Sequence, residues 1–161
     1  MYKRTQSIGF AVNQTARLMH KAMRTQLDIK NMQPAFLPVL LWLSEQDGLT
    51  QMELSKRAAI EQPSMAEIVK RMETGGFIER RADPDDGRRQ TLHLTPLAKR
   101  LSPKVYDWLE QNNASVCDGI AARELETCFR VLDRMVANLE SQIAPADVPP
   151  SASRRRAKKT T

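Results

Sequence analysis

The chain has 161 residues and carries 25 lysines and arginines against 19 acidic residues, which gives a formal net charge of +6 at pH 7. Hydrophobic residues make up 41% of the chain, enough for one domain-sized core, but no apolar run approaches the roughly 20 residues that span a bilayer. The amino-terminal stretch is too polar for a secretory signal. We therefore expect a cytoplasmic protein with no membrane partner.

The excess positive charge is concentrated in the tail. Residues 151–161 hold five cations and no acid, so subtracting them from the net +6 leaves +1 for the rest of the chain. This segment lacks the apolar residues needed to join a core, and residues 145–161 are predicted to be a disordered basic tail. Global charge is therefore weak evidence for nucleic-acid binding, and the middle of the chain is more informative.

The sequence shows no pattern typical of an enzyme or of a metal site. Cys117 and Cys128 are the two cysteines, and neither lies in a CxxC or a Cys/His metal spacing. The chain also lacks a nucleophile–base arrangement and a glycine-rich phosphate loop. We therefore predict no catalytic residue, no metal and no cofactor.

The first third of the chain predicts two apolar helices. Residues 7–28 place apolar side chains at helical spacing along a broad stripe. Pro34 opens a second, densely apolar helix, and the Gln46-Asp47-Gly48 sequence ends it. Both helices are expected to contribute to the core.

Two further helices lie close together in the chain. Thr50 and Glu53 form a capping box, in which each side chain accepts a hydrogen bond from the other residue's backbone amide, so a short helix is predicted over residues 51–58. The next helix begins at Gln62-Pro63-Ser64 and ends at Gly75-Gly76. Its buried stripe is Met65, Ile68, Val69 and Met72.

The sequence defines the first residue of this fourth helix only to within one or two positions, because Ser64 and Glu67 offer a second capping box. Its other face is polar and is centred on Pro63, Glu67 and Lys70. Two short helices joined by a tight turn, the second with a polar outer face, are what a helix-turn-helix requires.

A β-hairpin follows. Residues 77–82 and 90–94 read as strands, and residues 83–87 between them are rich in turn-forming aspartate, proline and glycine. Arg88 and Arg89 make the end of this hairpin basic. A guanidinium on a thin ribbon can enter a narrow minor groove, where negative potential is concentrated.

The remainder predicts two long helices. Thr95 caps the first of them, with Pro96 at its first helical position. The second begins at about Ala122 and ends before Pro145. Its apolar stripe is Leu125, Cys128, Phe129, Leu132, Val136, Leu139 and Ile143. The fold class predicted is mainly α, a winged helix-turn-helix with about six helices and a β-hairpin wing.

The stretch from Leu49 to Leu94 resembles the winged helix-turn-helix of the MarR family of transcriptional regulators. The order and spacing of several segments carry this resemblance, which the flanking helices extend over residues 7–143. These segments are Gln62-Pro63-Ser64-Met65-Ala66, Arg71-Met72-Glu73, Gly76-Phe77-Ile78, Asp83-Pro84-Asp85-Asp86-Gly87-Arg88 and Leu94-Thr95.

The resemblance implies a two-fold dimer built from the first helix and the last two helices. It implies that the helix after Gln62 enters the major groove and that the hairpin reaches the adjacent minor groove. Arg88 matches the family's wing-tip arginine, and Asp86 matches the acid that orients it. Two departures occur: Ala66-Glu67 stands where many members have threonine and arginine, and Ala98 stands where glycine is frequent.

These inferences give a domain organisation and a set of DNA-binding residues. Residues 1–144 are expected to form a single MarR-like unit, in which 33–98 bind DNA while 7–30 and 99–144 dimerise. The predicted partners are double-stranded DNA and a second copy of the chain. The predicted DNA-binding residues are Gln62, Pro63, Ser64, Glu67, Lys70, Arg71, Asp86, Arg88 and Arg89.

The function expected is a sequence-specific transcriptional regulator, a repressor that binds a pseudo-palindromic operator and responds to a small-molecule effector. Aromatic and methionine side chains of the first, second and fifth helices are candidates to line the effector pocket. They are Phe10, Met19, Met23, Phe36, Trp42 and Trp108. The alternative is an architectural DNA-binding protein that ignores sequence, which the basic tail favours.

Overall fold

A computed structural model describes residues 7–83 and 86–143. Over these residues it contains six α-helices, one short 3-10 helix and a two-stranded antiparallel hairpin, so the predicted fold class is confirmed. The elements are α1 (Ile8–Gln26), the 3-10 helix (Pro34–Phe36), α2 (Leu37–Glu45), α3 (Gln51–Arg57), α4 (Gln62–Thr74), β1 (Ile78–Ala82), β2 (Gln90–Leu94), α5 (Pro96–Val116) and α6 (Ala122–Ile143).

The chain divides into two compact units, Met1–Asn113 and Ala114–Thr161. The predicted tail at 145–161 lies outside the described residues, as do residues 84–85 of the predicted turn. Among the described helices, none is long and apolar enough to cross a membrane.

The start of α3 follows the capping box that the sequence predicts. The Thr50 hydroxyl accepts a hydrogen bond from the Glu53 amide at 3.2 Å, and the Glu53 carboxylate accepts one from the Thr50 amide at 2.7 Å. Both donors are amides that a helix start would otherwise leave without an intrahelical partner. This reciprocal pair therefore fixes where the helix-turn-helix begins.

The second capping box that the sequence suggests for α4 is wrong. Glu61 is the N-cap residue and no side chain caps this helix; Pro63 lies within its first two positions, where its missing amide proton costs nothing. Ser64 therefore lies inside the first turn. The predicted buried stripe of α4 is confirmed, and all four of its side chains lie in the core.

The hairpin is joined to the helical part of the first unit through β2. In the β1–β2 register Ile78 pairs with Leu94 and Ala82 with Gln90, so β1 begins one residue later than predicted. Leu92 also forms an isolated bridge with Leu49: its amide donates to the Leu49 carbonyl at 2.8 Å, and its carbonyl accepts from the Gly48 amide at 3.1 Å. The base of the hairpin is thus hydrogen-bonded to the segment between α2 and α3.

The core of the first unit lies beneath α4 and the hairpin. Phe36 and Phe77 meet edge to face, with ring centroids 5.7 Å apart. Gly76, at a φ of +73°, turns the chain from α4 into β1 in a conformation that a side chain would strain. The Thr95 hydroxyl donates to the Gly76 carbonyl at 2.6 Å and accepts from the Ala98 amide at 3.2 Å, so it also caps α5.

Two helices leave apolar side chains in solvent. No residue of α6 is buried, and its predicted stripe is exposed at Phe129, Leu132, Val136, Leu139 and Ile143. In the first unit, α1 exposes Ile8, Phe10, Val12 and Leu18. Apolar stripes of this kind are typical of protein–protein interfaces.

Candidate DNA interface and ligand cavity

The outer face of α4 carries the first group of predicted site residues. Gln62, Pro63 and Ser64 form its exposed first turn, and Glu67 and Lys70 follow along the same surface of the helix. These side chains are exposed because the opposite stripe holds the helix in the core. The helix therefore presents a continuous polar face to solvent.

Arg71 is less free than its neighbour Lys70. Its Nη1 donates to the side-chain oxygen of Gln33 at 3.0 Å, and its Nε donates to the Glu67 carbonyl at 3.3 Å. These two bonds fix the guanidinium at the edge of the polar face, beside the segment that precedes α2. Lys70 has no side-chain partner among the described residues.

The hairpin, with its connecting residues 83–89, is called the wing here. At its tip the Asp86 carboxylate accepts a hydrogen bond from the backbone amide of Arg88 at 3.0 Å, and the Asp86 carbonyl accepts from the Arg89 amide at 2.8 Å. Asp86 therefore orders the turn through the backbone, whereas the resemblance implied that it orients the Arg88 guanidinium. The Arg88 side chain is exposed and has no partner among the described residues.

Arg89 occupies a different environment from Arg88. Its guanidinium lies 2.9 Å from a Glu53 oxygen on α3 and 3.4 Å from an Asp83 oxygen at the end of β1. The Asp83 amide also donates to the Arg89 carbonyl at 2.9 Å. Sequence reasoning placed Arg89 with the DNA-binding residues, but in this structure its side chain is held against the helix-turn-helix.

Glu53 is a functional candidate that the sequence reasoning used only as a helix cap. The hydrogen bond from the Thr50 amide, then that from the Thr50 hydroxyl, and also the nearby Arg89 guanidinium hold the pKa of Glu53 below its ordinary value. Glu53 is therefore a carboxylate throughout the neutral range. A single charged group thus caps α3 and binds the wing.

The arginines of β1 are also paired. Arg80 lies 3.0 Å from Glu73 on α4, and Arg81 forms an ion pair with Glu79 on its own strand. Lys70 and Arg88 consequently differ from these cations, since neither forms an ion pair within the described ranges. The free positive charge of this surface lies on α4 and at the wing tip.

Three of the predicted effector-pocket residues meet at one cavity of the first unit. Met19 and Met23 of α1 and Trp108 of α5 line an apolar cavity of about 190 Å³. The remaining lining residues are Ala16, His20, Leu37, Leu109 and Asn112. Two of these lining residues also carry a buried donor without a hydrogen-bond partner, the indole nitrogen of Trp108 and the amide nitrogen of Asn112.

Sequence reasoning missed Asn112, although a signal was present. Val105, Trp108, Leu109 and Asn112 follow one another at helical spacing, so a polar side chain interrupts the apolar face of α5. Asn112 is only 7% exposed. Buried amide donors usually find an acceptor, so an unpartnered one in a cavity indicates room for a ligand atom or a water molecule.

The other three predicted pocket residues do not line this cavity. Phe36 is fully buried and packs against Phe77. Trp42 stacks beneath the Arg57 guanidinium, 5.4 Å from the ring centroid. Phe10 lies in the first turn of α1 and is 37% exposed.

Comparisons with known proteins agree with this architecture. The model of the MarR family matches residues 30–89. The transcriptional regulator PcaV from Streptomyces coelicolor, solved with its natural ligand, is 22% identical, with a TM-score of 0.78 over 87% of this chain and 99% of that one. BpsR of Bordetella bronchiseptica, whose DNA binding is regulated by 6-hydroxynicotinic acid, is 24% identical, with a TM-score of 0.72 over 84% and 97%.

A third similar structure is the MepR–DNA complex of S. aureus, which is 18% identical, with a TM-score of 0.72 over 85% of this chain and 99% of that one. PcaV and a further structural match, a MarR regulator from Methanosarcina mazei, are described as transcriptional regulators. The resemblance of this chain to the MarR family is thereby confirmed: residues 30–89 match the family's model, and the described residues have the fold of its transcriptional regulators.

Proposed function

We propose that this chain is a transcriptional repressor that binds a pseudo-palindromic operator as a homodimer and is modulated by a small molecule. The observation that carries the proposal is the exposed polar face of α4 beside a wing whose tip bears the exposed Arg88. The MepR structure, a similar fold in complex with DNA, supports the same use of this surface.

The dimensions of α4 suit major-groove binding. Its 13 residues give a helix about 20 Å long, and a B-DNA major groove about 12 Å wide admits an α-helix. Lys70 supplies charge for a phosphate, and the Ser64 hydroxyl can donate to one. Glu67 differs, since a carboxylate repels phosphate but accepts from the N4 amino group of cytosine. Binding through Glu67 would therefore favour particular sequences.

The experiment that tests DNA recognition is selection of bound duplexes from a random pool, followed by footprinting. A repressor of this kind yields one motif with dyad symmetry and a half-site spacing near one helical turn, 10–10.5 base pairs. Binding that ignores sequence at fixed salt would instead support the architectural alternative. An operator found in this way can be placed before a reporter gene to test repression.

Arg88→Ala tests the wing on the selected operator. The loss of one charge-assisted contact is expected to weaken binding by about 1–3 kcal/mol. Arg81→Ala is the matched control, because Arg81 lies in the same hairpin but is paired with Glu79. Equal affinities for Arg88→Ala and the parent protein would contradict the assignment of the wing tip to DNA.

The proposed effector site is the cavity lined by Met19, Met23 and Trp108. Trp108 and Asn112 of its lining each carry a buried donor without an acceptor, Nε1 and Nδ2, and each such group costs about 1–3 kcal/mol when left unsatisfied. A ligand with an apolar body and acceptor oxygens, such as an aromatic acid, would satisfy both. PcaV, solved with its natural ligand, and BpsR, regulated by 6-hydroxynicotinic acid, have a similar fold and support the proposal of an effector site.

Asn112→Leu separates a ligand site from a packing defect. Replacing the amide with an apolar side chain of similar size removes an unsatisfied donor, so the unliganded variant should be as stable as the parent or more so. Its affinity for aromatic carboxylates in calorimetry should fall, whereas Asn113→Leu, at an exposed position of the same helix that does not line the cavity, should leave the affinity unchanged. If Asn112→Leu binds these acids as the parent does, the donors do not define the site.

A further inference from the structure

We propose that the two adjacent wing arginines have separate roles: Arg88 contacts DNA, while Arg89 positions the wing against α3 and does not bind phosphate. This inference rests on the DNA-binding function proposed above. It reassigns Arg89, which the sequence placed among the DNA contacts, to a positioning role. It also makes Glu53 of α3 part of the wing's support.

The Arg89 guanidinium is shared between two carboxylates that come from different elements. Glu53 approaches it from α3 at 2.9 Å, and Asp83 approaches it from the end of β1 at 3.4 Å. The Asp83 side chain is only 15% exposed, whereas that of Arg89 is 47% exposed, so the contact is partly open to solvent. Arg89 therefore links the two sides of the wing to each other and to the helix-turn-helix.

Glu53 is a fixed partner rather than a mobile one. One of its oxygens accepts from both the amide and the hydroxyl of Thr50, each at 2.7 Å, and the other accepts from Arg89. The capping box therefore holds the carboxylate in place before Arg89 binds it. A preorganised partner reduces the entropy lost when the long arginine side chain is ordered.

Arg89 would gain no additional ion pair by leaving these two carboxylates for a DNA phosphate. To reach a phosphate its guanidinium would have to leave two carboxylates, and both would then face DNA without the cation that neutralises them. Like charges in that arrangement repel. Arg88 has no such competition, because its side chain is exposed and has no partner within the described residues.

Salt dependence of operator binding tests these separate roles, because each cation that a protein brings against DNA releases counterions. Arg88→Gln should lower the slope of log affinity against log salt by about two units per dimer, one for each wing. Arg89→Gln should leave the slope unchanged and weaken binding by about fivefold, the scale expected when four partly exposed ion pairs per dimer are lost.

Glu53→Gln provides the second arm of the experiment. Glutamine at this position still forms a capping box, so α3 keeps its start while the charge is removed. The effects of Glu53→Gln and Arg89→Gln on affinity should be strongly non-additive, because both remove the same contact. The effects of Glu53→Gln and Arg88→Gln should add. Circular dichroism of each variant verifies that it is folded.

The outcomes separate this inference from the proposed function. A slope that falls for Arg89→Gln as it does for Arg88→Gln would show that Arg89 binds phosphate and would overturn the inference. Additive effects of Glu53→Gln and Arg89→Gln would overturn it as well. A parent protein that binds no duplex in the preceding selection would overturn the proposed function itself, before any variant is compared.

Discussion

Leu132→Asp on α6 is the sharpest test of dimer formation. The five exposed side chains of the α6 stripe, from 36% exposed at Leu132 to 77% at Ile143, together expose the equivalent of about three whole side chains. At about 1.5–3 kcal/mol per buried side chain, covering this stripe gains roughly 9–18 kcal/mol for two protomers. Association itself costs about 4–15 kcal/mol, so α6 alone supplies most of what a stable dimer needs.

An aspartate within that stripe removes apolar contact and buries a carboxylate in each protomer, at several kcal/mol per ion. A combined loss of about 4 kcal/mol or more weakens dimerisation by at least roughly a thousandfold. Sedimentation equilibrium at micromolar protein should therefore find the variant monomeric, and its operator affinity should fall, since a monomer contacts one half-site.

The matched control is Arg134→Asp, which introduces the same side chain on the opposite face of α6. It should remain dimeric and bind the operator. A folded Leu132→Asp protein that still sediments as a dimer would refute the assignment of the stripe to the interface. A parent protein that is monomeric under these conditions and binds a full operator would refute it equally.

Two further predictions concern stability. Gly76→Ala should destabilise the fold by about 1–2 kcal/mol: at a φ of +73° the cost is backbone strain, since the added carbon meets only Leu97 Cδ2 at 3.8 Å. Gly9→Ala, in the first turn of α1 and in open space, should instead stabilise by less than about 1 kcal/mol. Melting temperatures of the two variants that shifted in the same direction would contradict this reasoning. Partial burial raises the pKa of Asp47, but the Leu94 amide and the Lys99 ammonium outweigh it and leave the pKa below 3.8. This carboxylate therefore stabilises the fold above pH 3.8, and its contribution is lost as the pH falls through the lowered pKa. The free energies of unfolding of the parent and of Asp47→Asn, measured as a function of pH, should converge in that range. Curves that stay parallel down to low pH would disprove the contribution.

Local sequence patterns were sufficient for most elements of the fold. The capping box of Thr50 and Glu53, the stripe of α4 and the span of β2 each depend on residues within a few positions of one another. The N-cap of α4 was less predictable, because Glu61 caps through its backbone alone while Ser64 has the preferred side chain. Helix starts without a side-chain cap leave little signal.

The candidate site depends on contacts that local patterns do not contain. Glu53 and Arg89 are 36 residues apart, and nothing in their separate surroundings indicates that they meet. The proposed cavity likewise forms where α1, α2 and α5 pack. Periodicity identifies Phe36 and Trp42 as apolar helix residues but cannot distinguish a core position or a guanidinium stack from a cavity wall.

The bridge between Leu49 and Leu92 sets how far the wing can extend. Arg88 lies four residues before this anchor, so at about 3.3 Å per residue its Cα can stand at most about 13 Å from it. A minor groove is about 7.5 Å deep, and the tip can therefore reach the groove floor while the base of the hairpin stays in the core. Shortening each strand by two residues would withdraw the arginine by about 7 Å and leave it near the groove rim. The length of the wing thus determines how deep its tip reaches into the minor groove when α4 lies in the adjacent major groove.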